Sequence, residues 1–333
     1  RINGFEAGCD LMMPGGSDYM EKECAEAVKN GILSEEKVTR SARRVLELIA
    51  KTAHDTAELI DMQAHYGLAR QIAEESAVLL KNEDDILPLK DKAEVVFVGH
   101  MAKEIRYQGS GSSHINPWKL VNVTDVRPEI KFAEGCLADG STNEKLIEEA
   151  EKAAKSAKNV VVFAGLTEIY ESEGFDRETM KMPKGHVDLI ERIAAVNDNV
   201  IVVLMCGSAV EVPWIDKVKA VLYAGLTGEA GGEAIVNLLF GKVNPSGKLA
   251  ETWPISYEDC ICKDYYGEPH KDAQYREGIY VGYRYYETAG VKVRFPFGYG
   301  LSYTKFAYSD LCIEGNRVGC IVKNVGNVTG KEI

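Results

Sequence analysis

The central part of the chain is predicted to fold as an α/β structure built on a mostly parallel sheet. Apolar runs typical of buried strands occur at residues 95–99, 160–166, 200–206 and 220–225. Amphipathic segments of helical period occur at residues 143–157, 186–196 and 229–241. Apolar strands that alternate with amphipathic helices indicate a parallel sheet covered on both faces.

The first fifty residues follow a different pattern, a short strand and then two helices. The apolar run of residues 8–14 is the predicted strand, and it ends at a Pro-Gly-Gly turn. Ser34, followed by two glutamates, is typical of a helix N-cap. The helix that follows carries an apolar stripe that so small a segment cannot bury by itself. We therefore expect this segment to belong to a larger unit.

The remaining segments connect these two regions or follow them. Residues 53–64 are polar and weakly patterned, which is typical of a linker. A helix is predicted from His65 through Leu80. After Gly267 tyrosine, glycine and alternating residues dominate, so residues 279–286 and 306–322 are predicted to be β-structure.

The composition excludes several classes of function. The chain of 333 residues has 39 basic and 51 acidic side chains, a net charge of −12, which disfavours nucleic acid as a partner. No apolar run approaches the roughly 18–20 residues that span a bilayer, so no membrane partner is expected. The eight cysteines include no CxxC pair, and Cys260 with Cys262 indicates isolated thiols rather than zinc ligands. Unpaired thiols favour a reducing, cytoplasmic location.

Two polar loops follow predicted strands, at the edge where open α/β sheets bind ligands. The glycine-serine loop of residues 108–114 is either a surface loop or a ligand site. It does not fit a phosphate cradle, because Asn116-Pro117 breaks any helix after it. Residues 171–177, Glu-Ser-Glu-Gly-Phe-Asp-Arg, hold three carboxylates and an arginine, either as solvated charge or as catalytic groups. The glycines of residues 225–232 indicate close packing rather than ligand binding.

Five motifs occur in order along the chain: Gly8–Pro14, Glu75–Asn82 with Leu87–Leu89, Ser172–Arg177, Gly228–Gly232 with Asn244–Leu249, and Phe297–Thr304. Taken together, they resemble glycoside hydrolase family 3 of the three-domain β-glucosidase type. Each motif alone is weak, but their order and spacing make the resemblance strong.

The resemblance implies a domain organisation that covers the whole chain. The family has a (β/α)8 barrel, then an α/β sandwich, then a fibronectin type III-like β-sandwich. The expected divisions are 1–52 for the end of the barrel, 53–64 for a linker, 65–255 for the α/β sandwich, 256–292 for a connector and 293–333 for the start of the fibronectin-like domain. The chain is therefore expected to be a fragment cut within a domain at both ends.

The resemblance also implies which residues act. Glu173 matches the family's general acid/base, with Asp176 and Arg177 as supporting residues. The family nucleophile is an aspartate in a Ser-Asp-Trp motif, which this chain lacks; Asp10 belongs to a later motif and does not replace it. Substrate contacts are expected from Ser112, His114 and Trp118.

The expected function is that of a retaining exo-acting β-glucosidase that removes terminal non-reducing β-D-glucosyl residues from a β-glucoside or oligosaccharide. No cofactor and no metal are implied, and the sandwich is expected to pack against its own barrel; homo-oligomerisation stays open. The alternatives are a β-xylosidase or another exo-glycosidase of the family, a non-catalytic carbohydrate-binding fragment, and a nucleotide-binding α/β domain. The fragment alone is expected to be inactive.

Overall fold

The computed structural model describes residues 2–13, 15, 17–53, 60–90, 94–266 and 274–333. The chain divides into two compact units, Arg1–Asp61 and Met62–Ile333. The α-helices are α1 Ile2–Ala7, α2 Asp18–Lys29, α3 Glu35–Thr52, α4 Met62–Ser76, α5 Val123–Val126, α6 Glu144–Lys155, α7 Lys184–Ala194, α8 Gly231–Leu239 and α9 Tyr283–Ala289. The strands are β1 Val78–Asn82, β2 Val95–Val98, β3 Lys131–Ala133, β4 Asn159–Gly165, β5 Val200–Met205, β6 Ala220–Tyr223, β7 Trp253–Pro254, β8 Val293–Phe295, β9 Phe306–Glu314 and β10 Arg317–Asn324.

The first unit is helical. Polar contacts tie its segments together: Lys37 forms an ion pair with Glu6, and the guanidinium of Arg44 binds the Asp10 carboxylate at 3.0 Å. The predicted strand at residues 8–14 is wrong over the described residues 8–13, which form no strand. A strand exists only when another segment pairs with it, and the described residues of this unit offer no such segment.

Helix α3 leaves much of its apolar stripe unburied. Leu46 is 64% exposed and Ile49 is 54% exposed. The unit as described therefore does not bury the apolar surface that the sequence provides.

The second unit is built on a six-stranded sheet with the order β1-β6-β5-β4-β2-β3. Strands β2 to β6 run parallel, as the sequence predicts, and β1 pairs antiparallel with β6 at one edge. The longest register is between β4 and β5, from Val160 opposite Val200 to Gly165 opposite Met205.

Helices cover both faces of this sheet. Alternate residues of β4 supply the two cores: Val162 packs with residues of α6 and α7, whereas Val161 packs with residues of α8. Because successive side chains of a strand point to opposite faces, an all-apolar strand is what this arrangement requires. The predicted α/β sandwich is thus confirmed.

Two sequence predictions are wrong in the second unit. The helix predicted from His65 through Leu80 ends at Ser76, and Val78–Asn82 instead forms strand β1. Residues 279–286 contain no described strand; this segment leads into helix α9. The β-structure predicted at residues 306–322 is confirmed as the antiparallel hairpin of β9 and β10.

The eight cysteines are all unpaired, and Cys136 and Cys206 are fully buried. No cluster of three or more potential metal ligands occurs within the described residues. No described helix is both long and apolar enough to cross a bilayer.

Candidate active site

The two loops singled out from the sequence meet at the carboxyl edge of the sheet. Strands β2 and β4 are neighbours, although β3 lies between them in the sequence. The chain therefore reverses its winding direction between these two strands, and open α/β sheets bind ligands in the crevice that forms at such a point. The loop of residues 108–115 comes from the β2 side and the loop of residues 171–177 from the β4 side.

The first loop is held in shape by its own polar groups. The side chain of Gln108 accepts a hydrogen bond from the backbone N–H of Ile115 at 2.8 Å and donates one to the Ile115 carbonyl at 3.2 Å. The N–H of His114 donates to the carbonyl of Gly111 at 3.0 Å. The loop closes on itself and does not lead into a helix.

Glu173 lies directly against this loop. Its carboxylate accepts a hydrogen bond from the backbone N–H of Ser112 at 2.5 Å and a second from the Ser112 hydroxyl. The backbone N–H of Glu173 faces the carbonyl of Ser110 at 3.4 Å. The Glu173 side chain is otherwise exposed. The hydroxyl and the N–H of Ser112 lower the pKa of Glu173, because they donate to its ionised form.

A glycine at position 111 makes this contact sterically possible. Its φ of +89° lies in the left-handed region, and a Cβ built there would stand 2.5 Å from the Glu173 Cβ. A side chain at this position would therefore push the two loops apart.

Glu171, two residues before Glu173, has a different environment. One carboxylate oxygen accepts the backbone N–H of Gly207 at 2.9 Å and the other accepts the Ser208 hydroxyl at 2.7 Å. Both oxygens thus bind the loop that follows β5. The geometry gives Glu171 a structural task, that of joining the loops after β4 and β5.

Arg177 secures the far end of the same loop. Its guanidinium donates to the Ser208 hydroxyl at 2.7 Å, to the Ala209 carbonyl at 3.2 Å and to the Thr179 carbonyl at 3.1 Å. Ser208 accepts from Arg177 while it donates to Glu171, so the three side chains form one hydrogen-bonded chain. The neighbouring Asp176 is exposed.

The three residues predicted to contact substrate have different surroundings. Ser112 binds Glu173, whereas the His114 side chain is exposed. Trp118 packs edge-on against Tyr66 of α4, with ring centroids 6.1 Å apart, and stays 48% exposed. The structure therefore brings Ser112 and Glu173 together, whereas Trp118 packs against Tyr66 of α4.

A cavity of about 600 Å³ opens at the switch point, between the segments that follow β2, β3 and β4. Its lining includes His100, Arg106, His114, Asp139 and Glu168. Sequence reasoning missed Arg106, whose guanidinium donates to the Glu171 carbonyl at 2.7 Å. The available signal was a single basic residue within the segment Ile105-Arg106-Tyr107, but its partner lies 65 positions away.

The glycine-rich segment before α8 is used for close packing. A Cβ on Gly232 would stand 2.4 Å from the Val121 carbonyl oxygen, and the Gly232 N–H donates to that carbonyl at 3.1 Å. The helix therefore approaches the 121–122 backbone more closely than a side chain would permit.

Comparison with known proteins gives a consistent result. Residues 77–303 match the glycosyl hydrolase family 3 C-terminal domain. Thermostable beta-glucosidase B of Acetivibrio thermocellus is 48% identical over 356 aligned residues, which cover 100% of this chain and 46% of that protein. An exo-alpha-(1->6)-L-arabinopyranosidase of Bifidobacterium longum is 39% identical and covers 94% of this chain and 44% of that protein. The chain thus spans about half the length of these relatives.

Solved structures show the same likeness. The GH3 beta-glucosidase of Bifidobacterium adolescentis has a TM-score of 0.82 at 39% identity, covering 98% of this chain and 50% of that one. Beta-glucosidase 3B of Thermotoga neapolitana in complex with glucose has a TM-score of 0.74 at 29% identity, covering 98% of this chain and 52% of that one.

Proposed function

Because this chain belongs to glycosyl hydrolase family 3, we propose that it is part of a retaining exo-acting β-glucosidase and that Glu173 is the general acid/base. The observation that carries the residue assignment is the contrast between two nearby carboxylates. Both oxygens of Glu171 are bound by the loop after β5, whereas Glu173 projects from the loop after β4 with Ser112 as its partner. An acid that must reach a glycosidic oxygen needs such exposure.

The reaction needs a second carboxyl group from outside this chain. Retaining glycosidases place two carboxyl groups roughly 5–5.5 Å apart, one to attack the anomeric carbon and one to protonate the leaving oxygen. We do not assign the attacking role to Asp10, because it belongs to a motif that follows the family's nucleophile motif in the sequence. We propose that the nucleophile lies on the barrel, outside these 333 residues.

Glu173 must change its proton affinity between its two roles. In this structure Ser112 lowers its pKa, which favours the ionised form that later deprotonates water. Protonation of the leaving oxygen requires a higher pKa. Exclusion of water when the site is completed would raise the pKa by desolvation, and so would the negative charge of the nucleophile. In this proposal both influences come from the part of the enzyme that completes the site.

The first candidate for the sugar residue that the enzyme removes is β-D-glucose. Support comes from the 48% identity to a protein named as a thermostable beta-glucosidase, against 39% to an exo-alpha-(1->6)-L-arabinopyranosidase. β-Xylosidase or α-L-arabinopyranosidase activity is the second candidate, since members of this family differ in the sugar on which they act. Aryl glycosides of the three sugars, compared by kcat/KM with the full-length enzyme, decide between them.

The domain divisions drawn from the resemblance also stand as a proposal. In this proposal residues 1–52 end the barrel, residues 65–255 form the sandwich and residues 293–333 begin the fibronectin-like domain. The exposed stripe of α3 supports it, and so do the exposed apolar residues of the β9–β10 hairpin, such as Ile313 at 70% and Val318 at 71% exposure. Both surfaces are ones that a larger domain would cover.

The test of the acid/base assignment compares Glu173→Ala with Glu171→Ala in the full-length enzyme. Glu173→Ala is expected to lose activity on cellobiose, whose leaving group needs a proton. On an activated aryl β-glucoside the first step proceeds, the glucosyl-enzyme accumulates, and azide restores turnover by forming β-glucosyl azide. If Glu171→Ala shows the azide rescue while Glu173→Ala hydrolyses cellobiose normally, the assignment to Glu173 is wrong.

A further inference from the structure

A buried arginine lies between the two loops that hold Glu173. Arg106 follows β2 and is 8% exposed. Its one ion pair among the described residues is with Glu168, at 3.8 Å, and the Glu168 side chain is 69% exposed. An ion pair with so exposed a carboxylate is weak, whereas removal of a guanidinium from water is costly. The ion pair alone therefore does not account for a cation at this position.

The hydrogen bonds of Arg106 indicate what it does. One terminal nitrogen donates to the Glu171 carbonyl at 2.7 Å, in the loop after β4. The other lies 3.5 Å from the Ser110 hydroxyl, in the loop after β2. The carbonyl of Ser110 in turn faces the Glu173 N–H at 3.4 Å. One planar guanidinium thus contacts both loops, within two residues of Glu173 on one of them.

We propose that Arg106 is a positioning residue, which fixes the Glu173 carboxyl group against the leaving oxygen of the substrate by holding the two loops together. This inference rests on the acid/base role proposed for Glu173. The planar fork of an arginine can bind two acceptors at fixed separation, which the single ammonium of a lysine does not do in the same way. Displacement of a catalytic group by about 1 Å is enough to cost on the order of 10²-fold in rate.

The proposal predicts a dependence on the leaving group. When Arg106 is absent, Glu173 is misplaced and proton donation suffers. Substrates with a poor leaving group, such as phenyl β-glucoside, depend on that proton. 2,4-Dinitrophenyl β-glucoside does not, because its leaving group departs as an anion. A residue with a merely structural role would affect both substrates alike.

The experiment measures kcat and KM of the full-length enzyme on these two substrates for Arg106→Met and Arg106→Lys. Arg192→Met is the matched control, because the ion pairs of Arg192 are with Glu144 and Glu151 of α6 and with neither loop. Arg106→Met is expected to lose on the order of 10²-fold in kcat/KM on phenyl β-glucoside. On the dinitrophenyl substrate it stays near the wild-type value. Arg106→Lys is expected to lie between, and Arg192→Met to match the wild type.

A double variant connects this effect to Glu173. If Arg106 acts through Glu173, Arg106→Met adds little further loss on phenyl β-glucoside once Glu173 is alanine, since the two effects are then not additive. An equal loss on both substrates, or a full second loss in the double variant, overturns the positioning role of Arg106. Either result leaves the acid/base role of Glu173 intact. Wild-type rates for Glu173→Ala on phenyl β-glucoside would overturn the acid/base role, and the positioning role with it.

Discussion

Ser112 donates two hydrogen bonds to the Glu173 carboxylate. Its backbone N–H and its hydroxyl both donate to the carboxylate, and together they lower the pKa of Glu173. Hydrogen bonds to an ionised group stabilise that form, so their removal raises the pKa. The serine that sequence reasoning assigned to the substrate is thus in contact with the proposed acid/base itself.

Ser112→Ala is therefore expected to raise the pKa of Glu173 in the full-length enzyme. The general acid must be protonated in the free enzyme, so the alkaline limb of the pH profile of kcat/KM should move to higher pH. Ser113→Ala is the control, because the Ser113 hydroxyl contacts the Ser110 carbonyl and not the carboxylate. If the alkaline limb of the kcat/KM profile does not shift in Ser112→Ala, or shifts equally in both variants, Ser112 does not lower the pKa of Glu173.

At the level of single residues, sequence analysis singles out site residues that lie within one motif. It misses site residues that lie outside any motif. Glu173 and Arg177 were singled out because they share a heptapeptide that matches a motif of the family. Arg106 and Ser208 were not, because their partners come from other strands and are brought close by the order of the sheet. They become neighbours because β2, β4 and β5 lie side by side in the sheet, which brings the loops after these strands together.

Secondary-structure elements were predicted well where burial decides them. The apolar runs of β2, β4, β5 and β6 agree with the structure because strands buried on both faces need apolar residues at every position. The run Val78–Leu80 was assigned to the preceding helix, since a short apolar run does not distinguish helix from strand. The run forms a strand because it pairs with β6, which begins 138 positions after the end of β1, at Ala220.

Helix α7 is joined to strand β4 by a buried histidine. His186 is 1% exposed, and its Nδ1 lies 3.0 Å from the Gly165 carbonyl, to which the neutral ring can donate. Burial lowers the pKa of His186, with a smaller contribution from the nearby His100. The fold therefore favours the neutral imidazole.

This predicts a stability loss in acid. The unfolded chain takes up a proton at His186 near pH 6.5, whereas the folded chain does so at lower pH. Stability is thus fully present above about pH 6.5 and decreases below it, by at most about 1.4 kcal/mol per pH unit from this group. Urea unfolding between pH 7 and 5 should show a smaller decrease for His186→Asn than for the wild type.

The control for this measurement is His65→Asn. His65 is exposed on α4, so its replacement should leave the pH dependence of the unfolding free energy unchanged. Equal slopes for the wild type and His186→Asn would show that the buried imidazole is not the group responsible.

For the whole molecule, we propose that the active site is divided between this chain and a part of the protein outside it. The sequence resemblance predicts this division, since the nucleophile motif is not in the 333 residues. The exposure of Glu173 is compatible with this proposal. If the proposal holds, no pattern within the chain could have predicted the geometry of the complete site.

The purified chain is accordingly expected not to hydrolyse an aryl β-glucoside. A positioned acid alone contributes roughly 10²–10⁴-fold, far less than a complete enzyme. The full-length protein, assayed beside it, serves as the control. Turnover by the isolated chain at the roughly 1–10³ s⁻¹ of ordinary enzymes would contradict the divided site.

The most direct measurement of that division is to locate the covalent intermediate in the full-length enzyme. A 2-deoxy-2-fluoro-β-glucosyl fluoride should trap the glucosyl-enzyme, and mass spectrometry of its peptides identifies the labelled carboxylate. We expect the label on an aspartate of the barrel, outside these 333 residues, and the same labelled peptide in Glu173→Ala. A label on Asp10, Glu171 or any other carboxylate of this chain would contradict it.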